Sequence, residues 1–438
     1  MHALAVCGSG YVGLVTAACL AQLGNDVIAY DTDLTKIALL RSGEVPFHEP
    51  ELRDIVARES HNGHLRFTSS AREALEGRSI VFIAVGTPVG PLGDADLTYV
   101  RQAARDIAKH ADDGLLVVNK STVPVETSDL VARLLEREAP ERRFRVVSNP
   151  EFLREGSAVS DFMHPDRIVI GTRDATAASL LRDLYTRLDA PVLVVDPHTA
   201  EMIKYAANAF LATKISFINE LSSLCDAVGA DIDGVLRGIA YDHRIGKQYM
   251  QPGIGFGGSC LPKDVSALRH VAKTHAMDAK LLDAVLDVNH SAIVNALQRV
   301  VRACGDLDGT TAAVWGLAFK PMTDDVRESP SVAFVQALLS LGARVCVHDP
   351  AAMGTARAVL GDRVTYAASP YEAAQGADYL VLATPWPVYQ TVAWRDVQQR
   401  MRAPRVFDVR NALDPAAMRA LLFEYHGTGR PERFEAPV

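Results

Sequence analysis

Short runs of β-branched and aliphatic residues alternate with helical stretches in two separate parts of this chain. That rhythm restricts the fold more than any other feature. In the first part the runs are "HALAVCG", "DVIAYD", "SIVFIAVGTP", "GLLVVNKSTV", "RVVSNPE", "RIVIG" and "PVLVVD". Strands that are apolar throughout are buried on both faces, so this alternation predicts a parallel sheet with helices on each side. The pattern breaks at residues 199–228, which contain neither Gly nor Pro and carry helical apolar periodicity. Thr199 is the expected cap and Gly229 the expected stop of one helix spanning roughly 45 Å, at ~1.5 Å per residue. More helical pattern covers about 263–303, after a glycine-rich loop. From about Thr310 the strand–helix rhythm returns in "TAAVWG", a helix near Ser329–Leu341, "ARVCVHD", "ADYLVLATPWP" and "RVFDVRN".

The first strand runs into "GSGYVG", which sets Gly8, Gly10 and Gly13 in GxGxxG spacing, with Tyr11 and Val12 between, ahead of the helical "LVTAACLAQLG". The first glycine permits a tight turn, the second lets a pyrophosphate approach the backbone, and the third allows close helix–strand packing. The helix N-terminus then offers amide donors to phosphate. Asp31 ends the second strand, 18 residues after Gly13. That is near the spacing of a carboxylate on a ribose 2′-hydroxyl, and it favours NAD over NADP. The structural alternative is that Asp31 caps the next helix. Lys36 either reaches the adenosine end or is solvated. The fold class is α/β, with two Rossmann-like doubly wound domains joined by a central helical region. Its expected limits are 1–197 for the NAD-binding domain, 198–308 for the helical region and 309–438 for the C-terminal domain. Ligands of open α/β sheets bind beyond the carboxyl ends of strands.

Composition excludes several classes. The net charge is −8, from 45 basic and 53 acidic residues mixed along the chain, so there is no basic footprint for nucleic acid. No apolar run is long enough to span a membrane. The start lacks a charged n-region, and Asn25 and Asp26 interrupt its apolar stretch, so no signal peptide is read. The cysteines at 7, 19, 225, 260, 304 and 346 show no CxxC spacing, which points to a reducing, cytoplasmic setting without a disulfide framework or zinc site. No metal is expected.

In "GIGFGGSCLPKDV", Cys260 stands on a flexible loop just before a helix expected from near Pro262. An enzyme that only interconverts alcohol and carbonyl needs no thiol. One that proceeds from aldehyde to acid uses a thiolate to form a thiohemiacetal, which loses a second hydride to give a thioester for hydrolysis. Lys263 and the helix N-terminus favour a thiolate, whereas Asp264 suits orienting a base or a water. The bland alternative is a buried thiol in a turn. The other five cysteines lie in apolar runs and read as core. Lys204 and Asn208, four apart on the long helix, share a face in the apolar setting "EMIKYAANAF". Such a pair suits an oxyanion site, although an exposed salt-bridging Lys is the ordinary reading.

Together "GSGYVG", "VGTP", "KSTVPV", "NPEFLREGSA", "DFMHPDRIVIG", "AEMIKYAANAFLATKISFINE", "GFGGSCLPKD" and "GLAFKPMTDDVRESP" resemble, nearly end to end, the UDP-glucose/GDP-mannose 6-dehydrogenase family. The resemblance implies an N-terminal NAD-binding domain, a central helical dimerisation region and a C-terminal domain for the nucleotide of the sugar donor. It also implies oxidation of the sugar C6 hydroxyl to a carboxylate with two NAD per substrate.

By the same resemblance Cys260 is the nucleophile, Lys204 and Asn208 surround the C6 oxygen, and Asp264 and Thr122 hold or activate water. Glu151 is a candidate acid–base, and Glu155 lies near nicotinamide and substrate; their spacing of four is also that of a solvated helical face. Thr87, Thr122, Lys263 and Arg327 match NAD-contacting positions. Phe152, Leu153, Arg154, Glu155, Lys320 and Gly257, with Tyr249, Met250, Gln251, Pro252 and Gly253, match the surroundings of the nucleotide sugar. Arg244 matches an arginine offered across a homodimer to the neighbouring site. The departures are Glu126 where Gly is usual, so that a different turn after Thr122 is expected, Glu51 where Gly is common, and Ala240 and Tyr241 near Arg244, where Gly and Leu are frequent. Leu261 and "QYMQPG" lean towards GDP-mannose, whereas "RIG", "ATKISFINE" and "DRIVIG" lean towards UDP-glucose. A UDP-N-acetylhexosamine is the further alternative.

Overall fold

The computed structural model describes residues 1–431. Residues 432–438 of the expected C-terminal domain lie outside the described part. The chain divides into two compact units. One is Met1–Ala207 with Ser266–His275; the other is Asn208–Val265 with the chain from Ala276 onward.

The first unit is built on β1 (Ala3–Cys7), β2 (Asp26–Tyr30), β3 (Leu65–Thr68), β4 (Ile80–Ile83), β5 (Leu116–Asn119), β6 (Arg145–Ser148), β7 (Ile168–Gly171) and β8 (Val192–Val195). Their order is β3-β2-β1-β4-β5-β6-β7-β8. All neighbours are parallel except β6 and β7, which meet antiparallel at Ser148 and Gly171, a departure from the all-parallel expectation. The order reverses between β1 and β4, the switch point at which such sheets bind ligands. The continuous apolar runs have a direct cause. In β1, Leu4 and Val6 enter one buried cluster while Ala5 and Cys7 enter the other, and β4 splits Ile80 and Phe82 from Val81 and Ile83 in the same way. Each fully buried large aliphatic or Phe side chain contributes ~1.5–3 kcal/mol, so a two-faced strand is held from both sides.

The second unit repeats the plan with β9 (Thr311–Trp315), β10 (Arg344–His348), β11 (Thr365–Tyr366), β12 (Tyr379–Leu382), β13 (Arg405–Asp408) and β14 (Glu424–Gly427). These run in the order β11-β10-β9-β12-β13-β14, all parallel. Trp315 anchors its core, stacked on Tyr389 at 5.0 Å and packed on Trp394 at 5.3 Å.

The long helix runs Pro197–Val228. It begins two residues before the expected Thr199, because the Asp196 carboxylate accepts the Thr199 N–H at 3.1 Å and Pro197 suits the first helical position. Gly229 ends it at φ +75°, and the Ala230 N–H returns to Cys225 O at 3.1 Å. Glu51 and Glu126 stand in turns that a glycine would suit. Both adopt the left-handed backbone natural to glycine, at φ +66° and +77°. At Glu126 the strained turn is clamped: the buried Glu201 carboxylate accepts the Glu126 N–H at 2.8 Å and the Ser128 N–H at 2.9 Å. Among the described residues no helix is long and apolar enough to cross a membrane.

Because a left-handed non-glycine residue costs ~1–2 kcal/mol and Gly keeps the N–H that Glu201 holds, Glu126→Gly stabilises the protein by about 1 kcal/mol. Urea denaturation of the two proteins side by side measures this, as a higher midpoint at unchanged slope.

Candidate active site

Gly8 leaves β1 at φ +98° with its N–H on Tyr30 O at 2.7 Å. A Cβ there would come within 2.6 Å of Ala84 O, and one at Gly13 within 1.9 Å of Gly8 O, so neither position admits a side chain. A Cβ at Gly10 would meet no atom within 4 Å, beside the start of the helix Tyr11–Gln22, which has no side-chain cap. Two glycines thus close the turn, while the third leaves room at an uncapped helix start, a cradle that fits a dinucleotide pyrophosphate. Asp31 is no helix cap. That task falls to Asp33, which accepts the Lys36 N–H at 3.0 Å. Asp31 instead accepts the Ser9 N–H at 2.8 Å, the Asp33 N–H at 3.0 Å and the Lys36 ammonium at 2.9 Å. Burial opposes its ionisation, but the Lys36 ammonium and the Asp33 and Ser9 amides outweigh it and hold the carboxyl below its ordinary range.

After β6 the chain is irregular through the "NPEFLRE" motif, so Glu151 and Glu155 share no helical face. A proline at 150 and the side-chain bonds of this loop override their spacing. Glu151 turns inward. One of its oxygens meets the Lys204 ammonium at 3.0 Å, with the side chains 3% and 5% exposed, and the other accepts the Leu153 N–H at 2.5 Å. Phe152 roofs this pair, its ring centre 5.5 Å from the Lys204 ammonium and 3.6 Å from the Arg167 guanidinium. The far end of the loop is tied to the glycine turn. Glu49 accepts the Gly156 N–H at 2.6 Å and the Ala158 N–H at 2.8 Å, and the Tyr11 hydroxyl donates to the same carboxylate.

In the second unit the glycine loop reaches Cys260, the residue before the helix Leu261–Thr274. Cys260 O accepts the first helical N–H, from Asp264, at 2.8 Å, and Ser259 Oγ lies 3.6 Å from the half-buried thiol. A Cβ on Gly257 would strike Glu328 O at 2.1 Å and one on Gly258 the Phe319 ring at 2.7 Å, so packing forbids side chains at both. Asp264 is fully buried and doubly held, by Asn208 Nδ2 at 2.6 Å and the Lys263 ammonium at 2.6 Å.

Sequence profiles of the UDP-glucose/GDP-mannose dehydrogenase family match this chain over three stretches. They are its NAD binding domain at residues 2–189, its central domain at 198–291 and its UDP binding domain at 313–415. The chain belongs to this family. It is 45% identical to the UDP-glucose 6-dehydrogenase of Pseudomonas aeruginosa, across 98% of this chain and 97% of that protein. Identity to the UDP-glucose 6-dehydrogenase TuaD of Bacillus subtilis is 43%, across 98% and 94%. A solved UDP-glucose dehydrogenase from Pyrobaculum islandicum superposes with a TM-score of 0.91 at 44% identity, covering 98% of each chain. The protein is therefore an NAD-dependent oxidoreductase of nucleotide sugars.

For a UDP-glucose/GDP-mannose dehydrogenase, the structure brings together Lys204 with Glu151, Asp264 with Asn208 and Lys263, and Thr87 with Thr122, whose carbonyl accepts the Thr87 hydroxyl at 2.8 Å. It places the Lys263 ammonium on the Asp264 carboxylate at 2.6 Å. Three expected arginines are engaged by nearby carboxylates: Arg154 by Asp161, Arg244 by Asp242 and Arg327 by Asp325. In the 249–253 segment Tyr249 is left-handed, Met250, Pro252 and Gly253 are buried, and Gln251 is exposed. Lys320 lies 5.5 Å from the Phe319 ring centre.

Of the cysteines expected in the core, Cys7, Cys19 and Cys225 are buried, but Cys304 and Cys346 are only partly so. Cys304 ends a helix at the unit's edge, and its sulfur accepts from Arg405 at 3.2 Å. Sequence reasoning missed Glu49, Lys120, Asn149 and Arg410. Arg410 donates to Ala383 O at 2.8 Å and Gly255 O at 3.1 Å, against Gly253, and burial pushes its guanidinium down to about 10. Its signal was a basic residue just past the end of β13, the edge at which such sheets bind ligands. Among the described residues no group of three or more His, Cys, Asp or Glu side chains is placed to hold a metal.

Asp31→Ser removes a charged acceptor whose hydrogen bonds contribute ~1.5–3 kcal/mol each. The KM for NAD rises about tenfold or more and the preference over NADP narrows. Initial rates with both cofactors check this.

Proposed function

We propose that this enzyme oxidises C6 of UDP-glucose to give UDP-glucuronate, with two NAD per turnover and a covalent intermediate on Cys260. The observation that carries the reading is a thiol at a helix N-terminus whose next turn holds a buried aspartate tied to Asn208 and Lys263. The names of the relatives support UDP-glucose as substrate. The half-buried Arg410 beside the glycine loop supports an anionic ligand, since a diphosphate supplies the countercharge its guanidinium lacks in the bonds to Ala383 O and Gly255 O.

NAD, when bound by the Gly8–Gly13 turn and Asp31, supplies the hydride acceptor for each oxidation. Glu151, with Lys204, takes the proton of the C6 hydroxyl as the alcohol becomes an aldehyde. The Cys260 thiolate then adds to the aldehyde carbon, and the Lys204 ammonium and Asn208 amide hold the oxyanion of the thiohemiacetal. Loss of the second hydride gives a thioester. Water held by Thr122 and Asp264 adds to the acyl carbon, the C–S bond breaks, and the thiolate is restored. Overall one alcohol, one water and two oxidised cofactors give one carboxylate, two reduced cofactors and three protons. All six cysteines are thiols, which suits a reducing, cytoplasmic setting.

Residues 1–197, 198–308 and 309–438 serve as the cofactor, central and nucleotide-sugar domains, and the chain acts as a homodimer. Phe210, Phe217 and Leu224 are exposed at seven-residue spacing on the long helix, one stripe that a second copy covers. Arg244, its side chain 79% exposed, then reaches the neighbouring site.

A panel of UDP-glucose, GDP-mannose and UDP-N-acetylhexosamines with absorbance readout yields two NADH per UDP-glucose. A strong preference for GDP-mannose sinks the substrate assignment, and one NADH per sugar sinks the four-electron mechanism. Cys260→Ser loses overall oxidation; a variant that still delivers two NADH per sugar at the wild-type rate rules out the thioester. In sedimentation velocity the wild type runs as a dimer and Phe217→Glu as a monomer, and a dimer unchanged by the glutamate places the interface elsewhere.

A further inference from the structure

Behind the Glu151–Lys204 pair lies a second buried cation that the reaction as written does not use. Lys120 follows β5 and is 6% exposed. Its ammonium donates to Asn149 Oδ1 at 3.0 Å. The same oxygen accepts from the Tyr185 hydroxyl at 2.7 Å, and the Tyr185 ring centre lies 5.7 Å from the ammonium. Asn149 is anchored further, through its side-chain amide to Val169 O and its backbone N–H to Asn119 O, both at 2.8 Å. One ammonium therefore pins the residue two positions before Glu151 against β5 and β7.

For packing alone this is a poor choice. An ammonium in the interior with a neutral amide as its partner is costly, whereas methionine fills the same stem space without charge. Burial pushes Lys120 down to about 8; the Glu151 carboxylate opposes that push and the Lys204 ammonium adds to it. The ionisable groups facing it are thus Glu151, Lys204 and the Tyr185 hydroxyl, from three different elements.

We propose that Lys120 is a positioning residue: held by Asn149, its charge fixes the turn into Glu151 and sets how the Glu151–Lys204 pair holds its proton. This rests on the reading of Glu151 and Lys204 as reacting groups. With the Lys120 charge removed, a proton sits more readily on both partners, so the whole active pH window moves upward.

The test uses Lys120→Met, Lys120→Gln, Lys120→Arg and Glu151→Gln in the full chain, with kcat followed against pH and melting followed at each pH. Lys120→Met and Lys120→Gln are expected to lose about tenfold or more in kcat at neutral pH, with the KM for NAD little changed and both limbs of the profile displaced upward by about one pH unit. Lys120→Arg keeps the limbs near their wild-type positions. Because the folded state holds the ammonium at a cost below about pH 8, the neutral variants melt at or above the wild type there, and this advantage shrinks as pH rises through 8. Limbs that stay in place in both neutral variants, while Glu151→Gln is impaired, overturn the inference. A Glu151→Gln protein with wild-type turnover instead overturns the reading of the site on which it stands.

Discussion

Two opposite charges locked together away from water, Lys204 and Glu151 at 3.0 Å, set the terms for the loops of the first unit. Dry ions gain little over well-packed apolar residues, but removing either partner leaves a stranded charge at ~3–5 kcal/mol. Stability alone therefore does not account for the pair, and the surroundings hold it in place. The loop carrying Glu151 is folded onto its own carboxylate through the Leu153 N–H. Its far end is held by Glu49, which also takes the hydroxyl of the glycine-turn Tyr11. The glycine turn and the Glu151 loop are thus mechanically one piece.

What could be read from the sequence follows from where each signal is local. Most strands that announced themselves are inner ones, apolar on both faces; β8 lies at an edge but is aliphatic at all four positions. β3, β11 and β14 did not, because at these sheet edges polar residues such as Arg66, Thr365 and Glu424 break the apolar run. The GxGxxG turn was legible because its constraint lies within a few residues: Gly13 must clear Gly8. Cys260, Lys204 and Asn208 stood out for a similar reason, as chemistry in apolar or glycine-rich company. Glu151 and Glu155 misled, since spacing of four marks a helix only where a helix exists. Lys120 and Arg410 did not stand out, because what makes them unusual is an environment assembled from distant segments, Asn149 and Tyr185 for one, Gly255 and Ala383 for the other.

The two sheets share one strand order yet handle the same position differently. At the end of β2, Asp31 stays partly open, with the cradle glycines beside it. At the end of β10 the corresponding Asp349 is buried, and its oxygens take the Leu317, Ala318, Ala351 and Ala352 amides and the Trp386 indole. A carboxylate so fully subscribed by its own loop has nothing left for a ribose. Topology alone would assign both sheets to dinucleotides; the hydrogen bonds reserve that task for the first.

The distribution of the thiols has a practical side. Burial pushes Cys7 and Cys19 up to about 12 and raises Cys225, Cys304 and Cys346 as well, so these five are poor nucleophiles towards any reagent in water. Cys260 alone sits at a helix start on a partly open loop. Among the partly open sulfurs, Cys304 and Cys346 are raised by burial, which leaves the loop thiol as the expected first target of oxidants and alkylating agents. On the reading of Cys260 as nucleophile proposed above, the enzyme carries its own fuse: chemical stress silences turnover through a single, countable bond while the folded chain around it stays whole.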